Sequence, residues 1–240
     1  MNIVVFGANG GTGRLLVRQA LDAGHTVTAV TRHPDTFTLG ADGTLANEKL
    51  TVLAADVHDP NAVDRAVSGH DVVLSALGVP YGRKPITVYS VGITNIIAAM
   101  DRHGIRRLVC VSSSATDPAT RYHDTGGGLI FEKVLKPFIT KTLGKQLYAD
   151  MLRMERLVQA SDLDYTIVRP SGLFETPAVT EYVDAEIELP ERFTSRADLA
   201  AFMLRLGEGD EYSRTSAAVA TVSTHPRVID LLRQEAFARS

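Results

Sequence analysis

Cysteine occurs once in the 240-residue chain, at Cys110, so no intramolecular disulfide can form and the sequence suits a reducing compartment. Neither sign of charge dominates. The 25 Lys and Arg against 28 Asp and Glu leave a formal charge of -3, which offers no basic surface for nucleic acid or an anionic membrane. No apolar run approaches the roughly 18 residues that a membrane-spanning helix needs. The opening Met1-Asn2-Ile3-Val4-Val5-Phe6-Gly7 lacks a basic segment followed by a long apolar stretch, so no signal peptide is expected and the chain reads as cytoplasmic. The histidines His25, His33, His58, His70, His103, His123 and His225 show no ligand spacing, and no metal is expected. Internal repeats and low-complexity linkers are absent, so residues 1–240 read as a single domain.

What is present is an alternation. Short apolar runs suited to strands buried on both faces fall at residues 3–6, 26–30, 50–54, 71–75, 107–111 and 165–168. Helical spacing occupies 11–23, 61–67 (led in by Asp59-Pro60), 86–103, 148–160 and 197–206. This order predicts an α/β protein with a Rossmann-like, doubly wound parallel sheet and right-handed crossovers. Cys110 falls inside a buried strand and reads as a small core hydrophobe. Two regions break the rhythm: an insertion at 116–144, and residues 171–240, which read as a small substrate-side elaboration beyond the carboxyl ends of the strands. Within the insertion an amphipathic helix is expected over 129–142, packed on its own domain, with a pocket lid or dimer face as the alternatives; Tyr122 and His123 read as loop surface.

The first strand runs directly into Gly7-Ala8-Asn9-Gly10-Gly11-Thr12-Gly13, and a helix follows. A glycine permits the sharp turn, and a missing side chain lets a pyrophosphate approach the backbone. The helix then offers that anion free N–H groups and the positive end of its dipole. Strand before and helix after are the context that turns a loose Gly-x-x-Gly-x-x-Gly into a dinucleotide site. A site that prefers NAD has Asp or Glu about 20 residues further on, to bind the ribose 2′-hydroxyl. Here the second strand ends in Thr31-Arg32-His33, and a guanidinium binds a 2′-phosphate that a carboxylate would repel. NADP(H) is therefore expected in preference to NAD(H), with Arg32 as its reader. Asp56-Val57 after the third strand can meet the adenine edge, and Ala76-Leu77-Gly78 after the fourth lets backbone approach the cofactor.

Together with Val111-Ser112-Ser113-Ser114 and Tyr165-Thr166-Ile167-Val168-Arg169-Pro170, these segments resemble the atypical short-chain dehydrogenase/reductases of the NmrA-like, NAD(P)-binding group. Within it the chain is most similar to the flavin reductase, or biliverdin reductase B, type. The resemblance implies hydride transfer from NADPH to a small planar acceptor such as a flavin, a quinone or a linear tetrapyrrole. It implies Ser113 beside the nicotinamide as the candidate catalytic residue, with Ser112, Pro170 and Ser171 bordering the same half of the cofactor.

One departure shapes the expected chemistry. The family's Tyr-x-x-x-Lys pair would fall on Leu147 and Met151, counted back from Glu155, and Tyr148 is about 100° around the helix from the tyrosine slot. Without a lysine to lower a tyrosine pKa, alcohol and ketone chemistry lacks its acid–base partner, whereas an electron-delocalised acceptor needs less help. The expectation is an NADPH-dependent reductase acting without that pair, as a monomer or homodimer. The alternative is a non-catalytic NADP(H)-sensing regulatory protein; a transient-oxidation epimerase is disfavoured by the same missing pair.

Overall fold

Apolar alternation along the strands sets the layers. In the computed structural model, which describes residues 1–39, 47–80, 85–116, 144–186, 189 and 193–224, β1 (Asn2–Phe6) sends Ile3 and Val5 to one face of the sheet and Val4 and Phe6 to the other. All four are fully buried, as a central strand covered on both faces requires. The sequence continues through α1 (Gly11–Asp22), β2 (Thr26–Thr31), β3 (Leu50–Ala54), α2 (Pro60–Val67), β4 (Val72–Ser75), α3 (Val88–His103), β5 (Arg107–Val111), α4 (Lys145–Gln159) and β6 (Asp164–Pro170). It ends with β7 (Gly172–Phe174), β8 (Tyr182–Ala185), β9 (Phe193–Ser195), α5 (Arg196–Glu208) and β10 (Thr215–Thr221).

The main sheet has the order β3-β2-β1-β4-β5-β6-β10-β8, parallel except for β8, which runs against β10 at the edge. The expected parallel sheet thus carries one antiparallel edge strand. Helices α2, α3 and α4 cover one face, where Val63, Ile93, Ile96, Met151 and Met154 join one core. Helices α1 and α5 cover the other, with Leu16, Val17, Leu199 and Phe202 in the second core. Because β1 to β6 are parallel, every loop that leaves a strand's carboxyl end opens on the same side. Successive strands are laid down in one direction from β1 to β3 and in the opposite direction from β4 on, and the switch point between β1 and β4 is the crevice where such sheets bind ligands.

Helix ends differ from the spacing-based expectation for identifiable reasons. Helix α2 begins as expected: the Asp59 carboxylate accepts the Asn61 and Ala62 amides, and Pro60 fills the first helical position. Helix α3 starts at Val88, not residue 86, because its cap comes from another helix. The buried Asp150 of α4 accepts the amides of Tyr89 (3.0 Å) and Ser90 (3.3 Å) and the Ser90 hydroxyl (2.5 Å). Helix α4 begins three residues earlier than expected, at Lys145. The expected helix at 129–142, with Tyr122 and His123, lies outside the described residues.

Buried polar bonds pin the C-terminal elaboration. Asp198, fully buried in the first turn of α5, accepts the Thr180 amide (2.6 Å) and hydroxyl (2.8 Å) and the Thr221 hydroxyl (2.5 Å). A second anchor lies at the far edge, where the Tyr212 phenol donates to Asp184 at 2.8 Å. Burial first, then the hydrogen bond and the Asp184 charge, push that phenol up to about 12. A pKa raised on folding stabilises the native state fully below the unfolded value of about 10 and loses that contribution as pH climbs through the folded one. Tyr212→Phe should therefore delete a late phenolate step from an alkaline absorbance titration and flatten the stability loss in that window. An unchanged titration curve would contradict this.

Candidate functional site

The turn between β1 and α1 is shaped by contacts that only glycine allows. Gly7 has φ +75°, and a Cβ there would lie 2.5 Å from the Ala76 carbonyl oxygen. A Cβ on Gly13 would lie 2.2 Å from the Gly7 carbonyl oxygen. Two backbone bonds close the turn, Gly10 N–H to Gly7 C=O and Arg14 N–H to Gly10 C=O, both 3.0 Å. Helix α1 therefore starts on Gly10 with no side-chain cap and no acidic residue in its first turn. The amides of Gly11, Thr12 and Gly13 find no acceptor among the described residues. Unpaired amides at a helix's positive end favour an anion.

Neighbouring side chains hold the turn in place. The Asn9 amide donates to the Thr36 hydroxyl (2.9 Å), and Arg14 donates to Asn9 Oδ1 (2.5 and 3.0 Å) and the Thr36 carbonyl (3.2 Å). This locks the glycine turn to the segment just past β2. Arg32 begins that segment, is exposed, and makes no hydrogen bond or ion pair among the described residues. It lies near enough to Asp56 to help lower that carboxyl's pKa, although hydrogen bonds from the His58 backbone and ring do more.

The structure sorts the other sequence-predicted residues. Gly10, Gly11, Gly78, Arg32 and Asp56 are exposed at the carboxyl ends of the strands, whereas Ala8, Val57 and Ala76 turn inward. The Ala8 amide is used by the Val30 carbonyl, and the Val57 carbonyl accepts from Asn95 at 2.8 Å. Leu77 is half-buried and Thr12 nearly covered. Pro170 ends β6 in the core, and the Ser171 amide donates to the Thr194 hydroxyl at 3.1 Å.

The serine run after β5 divides sharply. Ser112 is buried, and its hydroxyl donates to Glu155 at 2.5 Å rather than facing the crevice. Thr116 donates to the same Glu155 oxygen at 2.7 Å, and Arg169 donates to both carboxylate oxygens, at 3.3 and 2.7 Å. Ser113 is half-exposed, its hydroxyl oxygen accepts the Ala115 amide at 3.2 Å, and its proton has no acceptor among the described residues. On α4, Leu147 and Met151 are packed in the core. Cys110 is fully buried, and burial pushes its thiol up, out of reach of thiolate chemistry. Among the described residues no three His, Cys, Asp or Glu side chains are grouped so as to hold a metal ion. No described helix is long and apolar enough to cross a membrane.

Two residues at this site carry no sequence signal. Arg196, the first residue of α5, and Glu175, just past β7, meet over the start of α1 with Arg196 Nε 2.8 Å from Glu175 Oε1. Both arrive from the far end of the chain, and neither belongs to a motif.

A β-α-β crossover with an uncapped helix start, closed by glycines at the sheet's reversal point, defines a Rossmann-like nucleotide-binding protein. The chain belongs to the NAD(P)H-binding family, whose model matches residues 7–208. An uncharacterized protein of Mycobacterium tuberculosis is 36% identical over 114 residues, which are 47% of this chain and 12% of that protein. Among solved structures, the anaerobilin reductase ChuY of Escherichia coli O157:H7 superposes with a TM-score of 0.72 at 22% identity, covering 95% of this chain and all of that one. A short-chain dehydrogenase/reductase of Veillonella parvula in complex with NADP gives 0.72 at 20% identity, covering 94% and 96%. Identities this low establish shared architecture.

Proposed function

We propose that the protein is an NADPH-dependent reductase of the NmrA-like, flavin reductase type, which passes hydride to a small planar acceptor. The observation that carries this reading is the uncapped start of α1 under a turn that only glycines can make. In it the Gly11, Thr12 and Gly13 amides bind the diphosphate, Arg32 binds the 2′-phosphate and Asp56 sits at the adenosine end. Ala76, Leu77 and Gly78 border the cofactor from β4, and Pro170 and Ser171 from β6. When bound, the nicotinamide supplies the hydride. Ser113, whose hydroxyl proton has no acceptor among the described residues, positions the acceptor or the carboxamide by donating to it. Leu147 and Met151, apolar and packed in the core, favour an acceptor that needs no tyrosine–lysine proton donor. The same two residues favour the second reading, an NADP(H) sensor that does not turn over.

Calorimetric titration with NADPH and NADH, followed by absorbance assays with flavins and quinones, separates these. Binding with turnover supports the reductase; NADPH binding without turnover of any acceptor moves the assignment to the sensor. Arg32→Ala should weaken NADPH by about 1.5–3 kcal/mol, the range for hydrogen bonds to charged groups, and barely change NADH. Equal losses for both would remove Arg32 as the 2′-phosphate reader.

A further inference from the structure

The start of α1 is the positive end of a helix, yet a guanidinium lies over it. A Cβ built on Gly11 would be 3.0 Å from Arg196 Cδ and 3.2 Å from Nε, and Arg196 Nη1 reaches the Thr12 hydroxyl at 3.4 Å. Two positive ends face one another here, an arrangement that an anion beside both stabilises. In this structure the anion is the Glu175 carboxylate. Its Oε1 is 2.8 Å from Arg196 Nε and 3.5 Å from the same Gly11 Cβ position.

The two partners are held very differently. The backbone of Arg196 is fixed against α1: the Ser195 amide donates to Thr221 Oγ1 at 2.8 Å, the Ser195 hydroxyl caps Asp198 at 3.0 Å, and Gln19 on α1 donates to the Ala197 carbonyl at 3.1 Å. The Glu175 side chain is 53% exposed and the Arg196 side chain 31% exposed, and an ion pair so open to water holds weakly. Arg196 is thus a cation delivered by a rigid element, and Glu175 is a carboxylate that leaves at little cost.

We propose that Arg196 is a diphosphate ligand of the dinucleotide site and that Glu175 is its internal stand-in, an anion that occupies the phosphate position until the dinucleotide displaces it. This rests on the dinucleotide reading given above. A diphosphate brings two negative charges and paired oxygens that suit the guanidinium fork better than one half-exposed carboxylate does. Glu175 therefore competes with the ligand. Its negative charge lowers affinity for every dinucleotide alike, because the diphosphate is common to all of them. Arg32, by contrast, distinguishes one dinucleotide from another.

The test is calorimetric titration of the full-length protein and its Glu175→Gln, Arg196→Ala and Arg196→Lys variants with NADPH and with NADH. Arg196→Ala should weaken both by the same factor, about tenfold or more. Arg196→Lys should recover part of that loss. Glu175→Gln, a change at an exposed position that leaves the fold alone, should tighten both by about two- to fivefold. Added salt should weaken the wild type more steeply than Arg196→Ala. A wild type that binds while Arg196→Ala binds just as well overturns the proposal, as does a Glu175→Gln protein that binds more weakly. An Arg196→Ala loss confined to NADPH would move Arg196 to the 2′-phosphate and overturn it too. If the wild type binds neither dinucleotide, the parent reading fails and takes this one with it.

Discussion

Glu155→Ala should destabilise the protein by about 3–5 kcal/mol, the usual consequence of removing one partner from a buried ion pair. The Glu155 side chain is 4% exposed and that of its partner Arg169 is 18% exposed, so the guanidinium would stay largely buried without the carboxylate it holds here. Ser112 and Thr116 would lose their shared acceptor at the same time, and both are buried. At about 2–4 °C per kcal/mol for a chain of this size, the midpoint of thermal unfolding should fall by roughly 10 °C. Replacing both partners, as in Glu155→Leu with Arg169→Met, should recover much of the loss, since a well-packed apolar pair removes the buried guanidinium together with its carboxylate. A double variant no more stable than Glu155→Ala would show that the network matters for more than charge balance.

The same network shows where sequence reasoning stops. Ser112, Ser113 and Ser114 are equivalent in the sequence, all just past a strand of a parallel sheet. Which hydroxyl faces the crevice depends on what lies beneath. Glu155, over forty positions away on α4, claims Ser112, while Ser113 is left half-open. Glu155 itself served only to mark helix register. The Val57 side chain is likewise placed by a distant element: it follows β3, but it packs where a Cβ on Gly92 would meet it at 3.1 Å.

The features that were legible are local in sequence. A strand that must end in a tight turn shows its glycines, and a residue at the tip of β2 sits at a fixed offset from them, so the turn and the position of Arg32 just past β2 could be read directly. Sheet strands write themselves as apolar runs, which located β1 to β6 within a residue or two. Features built by distant contacts were hidden: the Asp150 cap on α3, the antiparallel edge β8, the short parallel pair β7 and β9, and the Arg196–Glu175 pair. Their geometry is set by which elements the sheet brings together, and no spacing along the chain encodes it.

The glycine turn yields the steepest graded prediction. Gly7→Ala forces an L residue to φ +75° and drives its Cβ to 2.5 Å from the Ala76 carbonyl oxygen just past β4, beside Ala76 C at 2.7 Å and Leu77 N at 2.9 Å. Left-handed strain of about 1–2 kcal/mol adds to overpacking of about 1–3 kcal/mol, and the colliding atoms are main chain that cannot swing away. Gly13→Ala is worse placed still, at 2.2 Å from Gly7 O and 2.8 Å from Ala8 Cα. Both should destabilise the fold and lose NADPH binding to calorimetry. Gly10→Ala meets only Gly7 O at 3.3 Å, so a small backbone shift should preserve the fold. Gly11→Ala meets the flexible Arg196 side chain, first at 3.0 Å, and alanine suits a helix better than glycine, so its stability should hold or rise slightly. Yet that methyl pushes Arg196 aside, so Gly11→Ala should weaken NADPH and NADH together while melting like the wild type. The set of four separates glycines that shape the turn from one that makes room for the Arg196 guanidinium; if Gly13→Ala folds and binds NADPH as the wild type does, the turn does not hold the diphosphate.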